Sequence, residues 1–247
     1  MSRYKIIAID ETGKASLNHP STTFILSGLI VSEDYLPKID RSFKKLKTKF
    51  FNDSEIVFHC RDMLRKKGPF ALLRDPDIEK RFWPEFMSNL NPADISTALV
   101  VVDKDKAKKL GWNEIAILRR AYSKILEEFT KKYLSENKMG KIVVESDPSQ
   151  DKYLLEAHNR LQGFGIPSEG IRGSDYRNKL TSISLVNKFN LDSHIQMADN
   201  LAMMGQIFYE LKINKRKNLN FVEAMFQRLI DRKIAAKTNP AIFEILV

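Results

Sequence analysis

KIIAIDETG, residues 5–13, is an apolar run that stops abruptly at two acids, a hydroxyl residue and a glycine. Residues 5–10 predict a β-strand, because a short run rich in Ile bounded by turn formers suits a pleated, buried surface. Successive side chains of a strand point to opposite faces, so Asp10 and Glu11 do not enter one site while the strand persists. Asp10 is the residue assigned to the site. On this segment alone, an acid that merely closes a turn with Thr12 and Gly13 fits equally well.

Working outward, residues 24–31 (FILSGLIV) predict a second strand. The polar stretch between the two, with Gly13, Asn18, His19 and Pro20, suits a wide hairpin and is too short for a crossover helix. The pair is therefore expected to be antiparallel. Residues 96–102 (STALVVV) and 141–146 (KIVVES) predict two further strands. Between them Ile115, Leu118, Tyr122, Ile125, Leu126, Phe129 and Tyr133 recur at helical steps, with Asn113 placed as a cap. Strand, long helix and strand imply a right-handed crossover with the fourth strand parallel to its predecessor. A fifth strand at 181–186 completes an expected mixed five-stranded sheet flanked by helices, an α/β fold.

Helix candidates at 35–50 and 76–90 make residues 35–92 a helical insertion between strands 2 and 3. Later helices are expected at 149–162, 195–211 and 219–234, the last ending before Asn239-Pro240. No repeat or linker forces a boundary, so residues 1–247 read as one domain with a C-terminal helical extension from about 212. AIFEILV at 241–247 reads as a packed tail or one more edge strand.

Two other elements carry acids. KIVVESD (141–147) ends in Glu145 and Asp147, which share a parity and face one side if the strand runs through both. A solvated strand end before Pro148 is the plain alternative. In IQMADNLAMMGQIFY (195–209) the apolar stripe of Met197, Leu201, Met204 and Phe208 is joined by nearly uncharged flanks, so the helix is expected to be buried on most sides. Asp199 in its middle then costs several kcal/mol unless it is paired, protonated or bound to a cation. An ion pair with a core arginine is the competing account.

Asp10, Glu145 or Asp147, and Asp199 on three separate elements suit a hard divalent cation, Mg²⁺ or Mn²⁺, which takes oxygen ligands and keeps several waters. Two such ions about 4 Å apart activate water and stabilise a leaving phosphodiester oxygen. Glu114, in a first helical turn, is a weaker fourth candidate, since the helix dipole alone favours an acid there. His59, in EIVFHCRDM, is a candidate proton carrier, or a structural histidine beside a helix capped by Asp62. His19, His158 and His194 have no partner at a recognisable spacing.

Composition narrows the partners. With 43% apolar residues and 247 in all, the chain can bury a sizeable core. No run of about 18 apolar residues occurs, so no membrane association is expected and the protein reads as cytoplasmic. The lone Cys60 and four histidines exclude an internal disulfide and a zinc site. A net charge of +10 favours polyanions, RNA or DNA, held through basic runs at 41–49, 65–67, 104–109 and 212–217. Most such runs are only solvated helix faces. A homo-oligomer or a protein partner is left open.

IDETG, FILSGLIV, KLKTKFF with FHCRDM, VVESD and IQMADNLA together resemble the family called domain of unknown function 3800, over roughly residues 1–211. That resemblance implies an RNase H-like fold and a metal-dependent nuclease. It places an acid-bearing first strand at Asp10 and Glu11, a histidine at His59, an acid-tipped fourth strand at Glu145 with Asp147, and Gln-x-Ala-Asp at Gln196 through Asp199. Thr12 stands where serine is more often expected. Set against it are a catalytically inactive nucleic-acid-binding subunit of a larger assembly and an ATP-dependent phosphotransferase; the chain lacks the Gly-rich phosphate loop of the latter.

Overall fold

Alternation of apolar side chains builds the centre of the molecule, which a computed structural model describes for residues 3–135, 137–187, 191–212, 219–237 and 241–247. In chain order, β1 (Tyr4–Gly13) and β2 (Thr23–Ser32) form an antiparallel hairpin. Three helices follow: α1 (Leu36–Phe51), α2 (Cys60–Arg65) and α3 (Pro76–Leu90). Next come β3 (Ser96–Asp103), the short α4 (Lys104–Lys109), the long α5 (Glu114–Tyr133), β4 (Met139–Glu145), α6 (Asp151–Phe164) and α7 (Gly173–Lys179). β5 (Leu180–Val186), α8 (Ser193–Lys212), α9 (Phe221–Ala235) and β6 (Ile242–Leu246) complete the order. The sheet runs β5-β4-β1-β2-β3-β6, with β1 central, β1–β2–β3 antiparallel, and β4, β5 and β6 added in parallel.

The two faces of the sheet carry separate apolar layers, and the period-2 alternation of β1 divides them. Ala8 faces a layer that contains Phe43, Phe58, Phe82, Trp83, Met197, Leu201 and Phe226, contributed by α1, α3, α8, α9 and the segment before α2. Ile7 and Ile9 face the other layer, with Leu118, Ile125, Leu154 and Tyr176 of α5, α6 and α7. Each such side chain, fully buried, contributes about 1.5–3 kcal/mol of transfer free energy. The helix α8 lies directly on β1 and β2 because its small residues allow it: a Cβ at Gly205 would come within 2.6 Å of Leu99 Cδ2.

Asn113 caps α5 as expected, its side chain accepting from Ala116 N at 2.9 Å. The expected sheet is corrected from five strands to six. The tail at 242–246 pairs in parallel with β3, so the C-terminal segment is not wholly helical. Glu244 in its middle is tolerated because Lys124 and Lys132 of α5 reach it at 3.4 and 3.8 Å. β1 also runs three residues further than the apolar run, to Gly13. Asn239 and Pro240, expected to stop the last helix, lie outside the described residues, as do 213–217 of the last basic run. Among the described residues no helix is long and apolar enough to cross a membrane.

Gly13 ends β1 at φ +82°, in the left-handed region, where a Cβ would stand 2.3 Å from the Thr23 carbonyl oxygen. Backbone rather than a flexible side chain is the obstacle. Gly13→Ala is therefore expected to destabilise the fold by about 1–3 kcal/mol, read as a lower urea midpoint with an unchanged m-value.

Candidate active site

Asp10 and Ser27 are cross-strand partners on β1 and β2, so their side chains leave the same face of the sheet, the one covered by α8. Ser27 is fully buried, and its hydroxyl donates to the Ala198 carbonyl at 2.6 Å and, more weakly, to the Asp10 carbonyl at 3.4 Å. One hydroxyl thus pins the middle of α8 against the acid-bearing end of β1. Asp199, the next residue along the helix, comes to lie beside Asp10.

A second set of bonds brings His59 to the same place. Phe58 N–H donates to Gln196 Oε1 at 3.0 Å, Asn200 Nδ2 donates to the Phe58 carbonyl at 3.0 Å, and Cys60 N–H donates to Asp199 Oδ2 at 2.7 Å. Three polar side chains of an otherwise apolar helix therefore clamp the backbone of residues 58–60. Held in this way, His59 lies with Nε2 3.7 Å from Asp199 Oδ1 and Nδ1 3.3 Å from Asp62 Oδ2. Asp62, read from sequence as a helix cap, turns toward the imidazole instead.

Asp10, Glu11, Thr12, Gly13, Lys14, His59, Arg61, Glu145, Asp199 and Met203 line one cleft of about 150 Å³. Asp10 is 5% exposed, accepts a hydrogen bond from Glu11 N–H at 2.7 Å, and has no ion-pair partner among the described residues. Burial, and then the charges of Asp199, Glu11 and Glu145, push its carboxyl well above the ordinary carboxylate range. Asp10, Glu11, Glu145 and Asp199 thus bring four acids to one cleft, which Lys14 and Arg61 also line. As they stand, no three His, Cys, Asp or Glu side chains among the described residues close into a group that could hold a metal ion.

The expectation that Asp10 and Glu11 do not enter one site while the strand persists is corrected: β1 runs to Gly13, yet Glu11 lines the same cleft, which opens across the strand end, and it meets Asp147 on the side away from Asp10. Because β1 persists past Asp10, Glu11 shares the parity of Ile7 and Ile9, and Gln150 Nε2 donates both to Glu11 Oε1 and to Asp147 Oδ2, each at 3.0 Å. β4 stops at Glu145, so the parity that would align Glu145 with Asp147 does not extend to Asp147. Burial and the charge of Asp147 raise the Glu11 carboxyl to about 7. For Asp147, burial pushes upward, but hydrogen bonds from Ser149 and Gln150 outweigh it and hold the carboxyl below its ordinary value. Lys14 stands 3.7 Å from Asp147 Oδ2.

Glu114 heads α5 and does not line the cleft. His158 instead bonds Tyr176 Oη at 3.0 Å, and His19 bonds Ser21 Oγ at 2.9 Å. The sequence reading overlooked Asn200, Gln150 and Arg61. For Asn200 a signal existed: it falls four residues after Gln196 in a helix that otherwise buries apolar groups.

No protein-family model matches the chain, so its likeness to domain of unknown function 3800 rests on the quoted motifs alone. No curated protein matches it either. Among solved structures, Bst-RNase HIII in complex with Mn²⁺ superposes over 96% of this chain and 64% of its own, with 13% identity and a TM-score of 0.43. A point mutant of Bst-RNase HIII gives 97% and 64% coverage at the same identity and score. The chain spans just under two thirds of the length of those two structures.

Proposed function

We propose that this chain is an RNase H-like, metal-dependent nuclease that hydrolyses phosphodiester bonds of RNA or DNA. The observation that carries the reading is Asp10. A carboxylate this buried, pressed by three neighbouring acids and without an ion-pair partner among the described residues, costs several kcal/mol to ionise unless a cation joins it. Among the described residues the two cations lining the cleft, Lys14 and Arg61, make no ion pair with Asp10, and Lys14 leans toward Asp147.

Asp10, Glu145 and Asp199, with oxygen donors only, fit Mg²⁺ or Mn²⁺ and would hold it with modest side-chain adjustment. Bound there, a divalent ion supplies the charge that makes water a better nucleophile and an alkoxide a better leaving group. The chain's own groups do the rest. Cys60 N–H fixes one oxygen of Asp199 and leaves the other directed toward His59. Asp62 orients the imidazole through Nδ1, which presents Nε2 to the cleft as a carrier for the proton of an attacking water or leaving oxygen. Glu11, kept near neutrality by its raised value, and Asp147 form an outer acidic pair bridged by Gln150.

The test is cleavage of labelled single- and double-stranded RNA and DNA by the full chain with Mn²⁺, Mg²⁺ or EDTA. The expected result is degradation of at least one substrate with either cation, abolished by EDTA, together with a Mn²⁺-dependent rise in Tm. Binding without cleavage in all four substrates would instead mark a non-catalytic nucleic-acid-binding subunit.

A further inference from the structure

Of the four basic runs, two are partly occupied within the fold. In 41–49, Lys44 pairs with Asp40 at 3.0 Å, Lys49 with Glu85 at 2.6 Å, and Lys47 is buried. In 104–109, Lys106 pairs with Asp103 at 3.6 Å, and Lys104 is buried with its Nζ donating to the His19 carbonyl at 3.0 Å. The short helix α2 and its exit differ. Cys60 and Met63 form its buried face, so Arg61 and Arg65, one turn apart, leave from the outer face and are exposed, as is Lys67.

None of these three cations has an ion-pair partner among the described residues, because the neighbouring acids are engaged elsewhere. Asp62 is turned to His59, Glu79 takes Lys66 at 2.8 Å, and Asp75 caps α3 by accepting from Asp77 N. Arg61 itself lines the acidic cleft. A guanidinium with no ion-pair partner among the described residues, at the mouth of a cluster of carboxylates and followed by two more cations, is an arrangement suited to a chain of phosphates. Adjacent side chains four apart on a helix are about 5–6 Å apart at Cβ, a step comparable to the spacing of phosphates along one strand.

We propose that α2 is the strand-tracking element of the enzyme: Arg61 grips a backbone phosphate beside the cleft, and Arg65 and Lys67 take successive phosphates of the same strand. The ligand's identity as a nucleic acid rests on the nuclease reading. Arg is suited to the first position because its fork meets phosphate oxygens in two parallel bonds. The contacts are to backbone, so they position the strand without reading its sequence.

The experiment measures binding of a fluorescent single-stranded 20-mer oligodeoxynucleotide to full-length Asp10→Asn protein across salt concentrations. Arg61→Gln, Arg65→Gln and Lys67→Gln are added together in one variant. In a control of equal charge, Lys45→Gln, Lys108→Gln and Lys109→Gln are added together. The α2 variant is expected to bind about tenfold more weakly at 0.1 M salt, with the slope of log K against log salt reduced by about two, while the control stays near its parent. An equal loss in the control, or an unchanged slope in the α2 variant, overturns the proposal. If the wild type also cleaves, the nuclease reading stands despite that failure. Absence of cation-dependent cleavage by the wild type overturns the nuclease reading, whatever the slopes.

Discussion

Asp10→Asn is expected to lower cation-dependent cleavage by about a thousandfold or more, and at the same time to raise the Tm of the cation-free protein. The two effects have one cause. On the proposed nuclease reading, a buried carboxylate surrounded by Asp199, Glu11 and Glu145 would be held for a cation and be a liability without it. Losing the ion's several kcal/mol of transition-state stabilisation corresponds to about three powers of ten in rate. Asparagine keeps the shape and can still accept the Glu11 N–H bond. It removes the like-charge repulsion, a gain of about 1–3 kcal/mol or about 2–4 °C per kcal/mol for a domain of this size.

The pH dependence has a definite sign. The folded Asp10 carboxyl holds its proton to higher pH than the unfolded one does, so over that window the folded state binds more protons and wild-type stability falls as pH rises. Glu11 acts in the same direction between its ordinary value of 4.5 and about 7. The advantage of Asp10→Asn should thus be absent in acid and grow from the ordinary carboxylate range upward. Added Mn²⁺ should reverse the ranking, stabilising the wild type and not the variant. Differential scanning fluorimetry at several pH values, beside single-turnover cleavage, reads all of this. A variant that cuts at the wild-type rate sinks the assignment of Asp10.

Physical reasons separate what the sequence disclosed from what it concealed. Asp199 stood out as a candidate because it is an acid where local periodicity demands burial, a conflict visible without any partner, whereas for Asp10 an acid closing a turn fitted its segment equally well. The choice between Glu145 and Asp147 was not legible, since parity aligns them only if the strand runs through both, and β4 ends at Glu145, where it is paired with β5. Gln150, Gln196 and Asn200 are clamps whose meaning lies in distant partners, the Glu11 carboxylate for the first and the Phe58 backbone for the other two. A linear reading sees only amides. The sixth strand was left open between a packed tail and an edge strand, because its partner β3 lies nearly 150 residues earlier in the chain. The helix beside His59 was read with Asp62 as its cap, but six residues give too short a pattern to fix its start, and His59 is the N-cap with Asp62 in the first turn.

Phe58→Ala is expected to have the largest effect on stability, about 3–5 kcal/mol, lowering Tm by about 6–20 °C. The ring is fully buried and meets Phe43, Phe51, Phe70, Phe82 and Phe86 at centroid distances of 5.3–5.9 Å. Those partners come from α1, α3 and the turn between α2 and α3, so this one side chain ties the helical insertion together. Its backbone is also the part clamped by Gln196 and Asn200. Removing the ring therefore loosens the segment that carries His59 and donates to Asp199. Phe58→Leu fills more of the space and should cost less than Phe58→Ala. The distinguishing readout is Mn²⁺ stabilisation measured well below each variant's own Tm. It should persist in Phe58→Leu and shrink in Phe58→Ala, because Asp199 without the Cys60 N–H bond is no longer fixed in the cleft. If Phe58→Ala unfolds within about 1 kcal/mol of the wild type, the aromatic cluster is not what joins the insertion to α8.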